Sequence, residues 1–276
     1  MKKIVFPTDF SEVANHAFVF ALAIAKKYQA EILLVHTYTL PIVEHQFAPQ
    51  NYQVLFDTLE LSNFERFKDE LPKLKQMVTT MQAESVRLTH VLLDGDLLYN
   101  LKELIAKENA DFVIMGTAGS SGWKEYFLST NTAEAITNLA VPVLSVPVSS
   151  HYDGISKIGF TTRFREKDKK ALETVVAFAK GMQAQVVCLY VETSTTDNTP
   201  ATYDDWRDHF RNEPVSFRII PNEAVEDTIQ DFIMSESIDI LAMVTYKHSF
   251  FAQLFLESFT EKMANHAPIP VLALHA

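Results

Sequence analysis

The chain has 276 residues, of which 47% are hydrophobic and 21% charged, so it has enough apolar material for one or two globular cores. Its formal net charge of −11 argues against non-specific nucleic-acid binding and against adhesion to anionic lipid, because both depend on an excess of Lys and Arg. The apolar runs are too short for a membrane span, which needs about 18 residues or more, so we expect a small molecule or a protein as partner.

The single cysteine and the first residues of the chain indicate the cellular compartment of the protein. Cys188 lies in an apolar run and is expected to be a small buried hydrophobe. Few apolar residues precede Pro7, too few for the core of a signal peptide. We therefore expect a cytoplasmic protein.

The first forty residues alternate between strand and helix patterns. An apolar run at 3–6 ends at Pro7, small apolar residues recur at helical spacing over 12–28, and branched residues fill 30–36. This β-α-β order predicts parallel strands joined by a right-handed crossover.

The rest of the first half continues the alternation. In chain order we predict a loop over 38–53, a helix over 54–82 that is bent or interrupted at Pro72, a strand over 85–92, a helix over 97–108, a strand over 111–115, a helix over 131–139 and a strand over 141–146.

The second half repeats the first. Residues 157–164 and 184–190 match 3–10 and 30–36 at a displacement of 154, and residues 239–245 and 269–272 match 111–117 and 141–144 at a displacement of 128. We infer a tandem duplication with domains at 1–148 and 155–276. The second copy is 26 residues shorter between its second and third strands.

A glycine-rich loop follows the fourth predicted strand. Three of the seven glycines lie in it, Gly116, Gly119 and Gly122, and a hydroxyl-rich stretch follows at 129–132. Closely spaced glycines after a buried strand expose backbone N–H groups to a phosphate.

These motifs resemble the universal stress protein family in its tandem form. The resemblance rests on Pro-Thr-Asp-Phe-Ser at 7–11, Met-Gly-Thr-x-Gly at 115–119 and Val-Pro-Val-Leu at 141–144. It implies an α/β fold of two tandem doubly wound domains, each with a five-stranded, mainly parallel sheet flanked by helices. It also implies that the protein binds ATP, with or without Mg²⁺, through a Gly-x2-Gly-x9-Gly-Ser/Thr signature.

The resemblance assigns residues to two sides of a nucleotide. The adenine and ribose side comprises Pro7, Thr8, Asp9 and Thr37, and the ribose–phosphate side comprises Met115, Gly116, Gly119, Ser129, Thr130, Asn131 and Thr132. Ser129 stands where the signature has its third glycine. If that glycine is needed for a left-handed backbone, serine costs about 1–2 kcal/mol and weakens or abolishes binding; if the position only leads into the helix, binding is retained.

Simpler roles for the same residues stay open. Asp9 is as well placed to cap the following helix as to bind ribose, and Ser129 to Asn131 could be caps alone. His36, at a strand end, is expected to be a hydrogen-bonded rim residue. The loop matches no Walker, dinucleotide or hydrolase motif.

The second copy lacks these features. Val244, Lys247 and Phe250 replace the three glycines, Glu257 replaces Ser129 and Arg163 replaces Asp9. We therefore expect no ATP in the second domain. Its segment 249–259, rich in Phe and Leu, is expected to pack internally, with a partner-binding patch as the alternative.

Together these observations predict a regulatory, nucleotide-responsive protein that is not an enzyme, although slow ATP hydrolysis stays open. Its occupied state would be read by an unknown protein partner. By family resemblance the final strands, 141–146 and 269–274, pair and make the chain an internal dimer. The alternative is a scaffold without nucleotide that acts through protein contacts; an adenylyltransferase-type enzyme is a more distant third, since its signatures are missing.

Overall fold

The computed structural model describes residues 1–39, 49–117, 130–196, 200–245 and 269–275, with the backbone alone described at 49–57, 130 and 200. The chain divides into two compact units, Met1–Ile114 and Met115–Ala276. The boundary between the two sequence copies, at 148–155, stays a prediction.

The first unit alternates strictly between strands and helices. In order these are β1 (Lys3–Pro7), α1 (Glu12–Tyr28), β2 (Glu31–Tyr38), α2 (Pro49–Thr80), β3 (Leu88–Asp94), α3 (Leu97–Glu108) and β4 (Phe112–Thr117), whose last three residues belong to the second unit. The strand order is β3-β2-β1-β4 and every pair is parallel. Buried alanines on α1, among them Ala17 and Ala21, allow it to pack closely on this sheet.

The second unit follows the same scheme with one reversal. Its elements are α4 (Thr130–Asn138), β5 (Val143–Pro147), β6 (Lys157–Thr161), α5 (Glu166–Met182), β7 (Gln185–Glu192), α6 (Pro200–His209), β8 (Val215–Pro221), α7 (Val225–Ser235), β9 (Ile240–Thr245) and β10 (Val271–His275). The strand order is β5-β10-β9-β6-β7-β8, and only β10 with β5 is antiparallel among these pairs. The predicted meeting of the two final strands is thus observed, with Val271 opposite Ser145.

The α/β class with a large, mainly parallel sheet is confirmed, and the differences are local. Of the two alternatives at Pro72, the interruption is wrong, because α2 runs through the proline as one helix of 32 residues; the bend stays a prediction. Phe67 and Leu74, on either side of Pro72, are both buried. This packing offsets the missing N–H bond, which costs about 3 kcal/mol in a helix interior.

The first strands of the two copies have matching bounds: β6 ends at Thr161, as β1 ends at Pro7 at the displacement of 154. Phe164, the counterpart of Phe10, has a φ of 54°, in the left-handed region. Within the described part of the chain, no helix combines the length and hydropathy needed to cross a bilayer.

Candidate functional site

A tight turn at the carboxyl end of β1 positions the first group of predicted site residues. The backbone N–H of Thr8 donates to the carbonyl of Val35 at 2.8 Å, and the Thr8 hydroxyl oxygen accepts from the N–H of Phe10 at 3.0 Å. Phe10 has a φ of 62°. Pro7 and Thr8 are buried and Asp9 is exposed, so the turn presents Asp9 to solvent from a fixed backbone.

Asp9 does not cap α1. The N-cap is Ser11, whose hydroxyl accepts from the N–H of Ala14 at 3.2 Å. Asp9 instead accepts from the N–H of Ser11 at 3.0 Å through one oxygen, Oδ1. The capping alternative for Asp9 is therefore wrong, and the carboxylate stiffens the turn ahead of the cap.

His36 supports this turn from the neighbouring strand. Its Nδ1 lies 2.7 Å from the carbonyl oxygen of Thr8, and because a carbonyl only accepts, Nδ1 carries the proton. The imidazole ring is buried, and its centroid lies 5.0 Å from the ring centroid of Phe10 and 6.2 Å from that of Phe67. The prediction of a hydrogen-bonded residue at the strand end is confirmed. Thr37 follows it, partly buried, opposite Leu93 of β3.

The second group of predicted residues follows β4. Met115 is buried and Gly116 half-buried, and the hydroxyl of Thr132 donates to the carbonyl of Gly116 at 3.4 Å. Thr132 therefore holds the strand end against α4. Thr130 opens α4 and Asn131 is exposed. Gly119 and Ser129 lie outside the described residues.

Thr117, the last residue of β4, is a candidate site residue that the sequence analysis did not assign. It is 1% exposed, and its hydroxyl finds no hydrogen-bond partner in the described structure. A buried polar atom without a partner costs about 1–3 kcal/mol, so this one marks a position that an added group could stabilise. Its signal in the sequence, a threonine after Met-Gly, is too common to have singled it out.

Asp168 changes the chemistry of the equivalent turn in the second copy. The turn itself is repeated: the N–H of Phe164 donates to the Thr162 hydroxyl at 2.8 Å. Asp168 is 1% exposed and accepts from the Thr162 hydroxyl at 3.0 Å and from the N–H groups of Arg163 and Arg165 at 2.8 and 3.3 Å. At the displacement of 154, its counterpart in the first copy is Ala14. The second copy thus carries its own anion where the first has a methyl group.

Bulky side chains stand at two further strand positions of the second copy that the structure describes, Tyr190 and Val244. Tyr190 stands in place of His36, with its ring centroid 4.9 Å from Phe164, and Trp206 packs on Phe164 at 5.0 Å. Val244, the counterpart of Gly116, is 3% exposed. Lys247, Phe250, Glu257 and the segment 249–259 lie outside the described residues.

Cys188 behaves as predicted. It is a free thiol, 1% exposed, in the middle of β7. Burial raises the pKa of this thiol well above its usual range, and the charge of Asp168 raises that pKa further. A raised pKa disfavours the reactive thiolate, which fits a core residue. In the parts of the chain that the structure describes, no three His, Cys, Asp or Glu side chains cluster as a metal site would require.

The sequence and the fold both match known proteins. The universal stress protein family matches residues 1–147 and 209–275. A universal stress protein of Methanocaldococcus jannaschii is 29% identical over 145 residues, which is 52% of this chain and 81% of that protein. The structure of a universal stress protein from Archaeoglobus fulgidus covers 99% of this chain and 96% of its own, with a TM-score of 0.72 and 18% identity.

A family protein from Arabidopsis thaliana with AMP bound is also matched, over 55% of this chain and 97% of its own, at a TM-score of 0.37 and 18% identity. The family match covers both ends of the chain and includes the turn after β1, the strand β4 and the strand β10. The chain belongs to the universal stress protein family.

Proposed function

We propose that the first copy binds an adenine nucleotide, ATP, and that the second copy does not. The protein would then act as a regulator whose nucleotide-bound state is read by a protein partner. One observation supports the proposal: buried Asp168, in the first turn of α5, and buried Val244, near the end of β9, stand where the first copy has Ala14 and Gly116.

The hydrogen bonds of Asp168 provide the physical reason for this asymmetry. A buried carboxylate that already accepts three hydrogen bonds occupies the donors of the turn, so these donors are not available to a ligand. In the first copy the turn after β1 holds no such group, and Asp9 is exposed on it. A carboxylate there suits the hydroxyl groups of a ribose, which donate hydrogen bonds.

We infer the remaining roles from the family. The adenine and the ribose would be bound by Pro7, Thr8, Asp9 and Thr37. The ribose and phosphates would be bound by residues at the end of β4 and around the start of α4: Met115, Gly116, Gly119, Ser129, Thr130, Asn131 and Thr132. We add Thr117, because its hydroxyl has no hydrogen-bond partner among the described residues. Mg²⁺ would be held mainly by the phosphates, as is usual for this ion.

Calorimetric titration with ATP, with and without Mg²⁺, tests the proposal. We expect saturable binding at one site per chain. Two sites per chain would contradict the restriction to the first copy. No binding at millimolar nucleotide would favour the alternative, a scaffold that acts through protein contacts alone.

A matched pair of variants locates the site. Gly116→Val installs the second copy's residue in the first and should abolish binding, because a side chain then stands where bare backbone meets the ligand. The reverse change, Val244→Gly, should leave the stoichiometry at one. Circular dichroism of both variants checks that the fold is intact.

Ser129→Gly tests the departure from the family signature. If the backbone at 129 is left-handed, the glycine removes about 1–2 kcal/mol of strain and tightens binding roughly five- to thirty-fold. An unchanged affinity would show that a glycine at position 129 is not required for nucleotide binding.

We also infer that the two copies pair within one chain. The antiparallel pairing of β5 with β10 supports this, reinforced by the Ser145 hydroxyl, which donates to the carbonyl of Val271 at 3.2 Å. The identity of the protein partner is not assigned, and cytoplasmic localisation stays a prediction.

A further inference from the structure

His36 holds one peptide group of the turn after β1 by its carbonyl end. Its Nδ1 donates to the carbonyl oxygen of Thr8 at 2.7 Å, although the two residues lie 28 positions apart in the sequence. The same peptide group carries the N–H of Asp9, and no peptide bond in the described chain is cis. In a trans peptide the C=O and the N–H point in opposite directions. The bond to His36 therefore directs the N–H of Asp9 away from the imidazole.

The N–H of Asp9 is the donor of this turn that remains for a ligand. It bonds to no atom that the structure describes, whereas the N–H groups of Thr8, Phe10 and Ser11 all donate within the protein. Asp9 is exposed and follows directly on β1. The carboxyl ends of parallel strands are where open α/β sheets bind ligands.

The second copy holds the equivalent peptide group by its opposite end. There the N–H of Arg163 donates to Asp168 at 2.8 Å. Tyr190 replaces His36, and its buried hydroxyl has no hydrogen-bond partner in the described structure, so it does not bond the carbonyl of Thr162. The first copy thus holds this peptide by the oxygen and leaves the N–H available, whereas the second copy holds it by the N–H.

Two phenylalanine rings keep the imidazole of His36 in place. Phe10 lies in the turn itself, with its ring centroid 5.0 Å from that of His36, and Phe67 of α2 is stacked on the imidazole at 6.2 Å with an interplanar angle of 20°. The two phenylalanines also contact each other edge to face at 5.7 Å. Because His36 is only 8% exposed, this packing restricts its rotamer and keeps Nδ1 directed at the carbonyl.

We propose that His36 is a positioning residue that presents the N–H of Asp9 to the ligand as a hydrogen-bond donor, a role that rests on the proposed binding of ATP in the first copy. The ribose hydroxyls and the ring nitrogens of adenine both accept hydrogen bonds. A peptide group that is already held loses no further freedom when the nucleotide binds, and this favours binding.

Two substitutions separate the hydrogen bond of His36 from the packing of its ring. His36→Leu removes the donor and should raise the Kd for ATP, measured by calorimetry, about tenfold. His36→Asn carries an amide nitrogen at the position of Nδ1, bonded to Cγ in both side chains, and should keep the Kd within about threefold of the wild-type value. An asparagine variant as weak as the leucine variant would overturn the proposal.

The matched control is His90→Leu. His90 packs on Phe67, with ring centroids 5.5 Å apart, but lies on β3 rather than beside the turn. Its replacement should leave the Kd for ATP unchanged, and a tenfold loss would show that packing around Phe67, not the bond to Thr8, determines the affinity. Thermal unfolding checks that all three variants are folded.

Nuclear magnetic resonance tests the hydrogen bond and the donor directly. At about pH 8, where histidine is ordinarily neutral, the spectrum of the imidazole nitrogens should show the proton of His36 on Nδ1. On saturation with ATP the amide proton of Asp9 should shift downfield, and that of Arg163, the internal control, should not move. A proton on Nε2 alone, or an unmoved Asp9 amide, would overturn the proposal.

Hydrogen exchange of the ATP-free chain separates this proposal from the proposed function. The N–H of Phe10, which bonds the Thr8 hydroxyl, should exchange faster in His36→Leu than in His36→Asn. Equal rates in the two variants would overturn the role given to His36. A wild-type chain that does not bind ATP would instead contradict the proposed function, and the exchange rates would still decide whether His36 holds the turn.

Discussion

At the scale of single residues, Asp168 separates the two copies most clearly. An acidic residue in the first turn of a helix normally interacts with the helix dipole at the surface. Here the side chain is buried and bonds the loop that precedes the helix. The same carboxylate thus holds the turn after β6 by three hydrogen bonds that the first copy, with Ala14 at this position, does not make.

Replacing Asp168 should therefore be costly. Asp168→Ala leaves the Thr162 hydroxyl and two backbone N–H groups without their acceptor, and we expect the free energy of unfolding to fall by about 3 kcal/mol. Urea denaturation measures the loss. Asp205→Ala is the control, because Asp205 is exposed and pairs with Lys169 at the surface; a similar loss in both variants would contradict the role given to Asp168.

At the scale of secondary-structure elements, the helix ends show what local sequence determines. The bounds of α1 and α3 agree with the prediction to the residue, because Ser11 and Asp96 cap them and the apolar period is regular. The course of α2 through Pro72 could not be predicted, since Phe67 packs on residues distant in sequence. Its ring centroid lies within 6.2 Å of those of Phe10, His36 and His90.

The candidate site was predictable to a similar extent. The residue types and their strand ends follow from the motif, but the bond from His36 to Thr8 joins residues 28 apart and has no signal in the local sequence. The turn at Phe164 is held by side chains close in sequence, Thr162 and Asp168. It could not be predicted because an acid in the first turn of a helix is ordinarily exposed, whereas Asp168 is buried.

Two helix ends lead to a stability prediction. Both α1 and α5 end on a glutamine in the left-handed region, Gln29 with a φ of 53° and Gln183 with a φ of 60°. Glycine adopts this conformation without a Cβ clash, so Gln29→Gly and Gln183→Gly should each stabilise the protein by about 0.5–1 kcal/mol.

Thermal or urea unfolding measures the gain at each position. The control is Gln76→Gly, in the interior of α2, where glycine should instead destabilise by about 1 kcal/mol. A loss of stability at Gln29 or Gln183 would mean that their side chains matter more than the backbone strain.

At the scale of the whole molecule, the duplication extends to individual side-chain interactions. Lys3 pairs with Glu108 at 2.7 Å and Lys157 with Glu236 at 3.5 Å, at matching positions of the two copies. Asp111 accepts from the N–H groups of Lys2 and Lys3, as Asp239 does from those of Ser156 and Lys157. These contacts tie the start of the first strand to the fourth strand in each copy.

The last strand should be indispensable to the second unit. Strand β10 lies between β5 and β9 and buries Val271, Leu272 and Leu274. Burial of three such side chains contributes about 5–9 kcal/mol, which is comparable to the whole stability of a domain, about 5–15 kcal/mol. A chain truncated after residue 268 should therefore fail to give a soluble, cooperatively folded protein.

Circular dichroism and solubility after expression measure this outcome. Removal of Ala276 alone is the control and should have no effect. A truncated chain that still unfolds in a single cooperative transition near the wild-type temperature would contradict the prediction.

The turns after β1 and β6 have a broader meaning. Phe10 and Phe164 both adopt the left-handed conformation, with the same hydrogen bond from their N–H to a threonine hydroxyl. Such a conformation costs about 1–2 kcal/mol for an L-residue. Strain near a candidate site is often taken as a sign of function, yet here it occurs in both copies, including the one that carries Asp168, Tyr190 and Val244. The strained turn is therefore a property of the repeated scaffold, and the differences between the copies are the better guide to function.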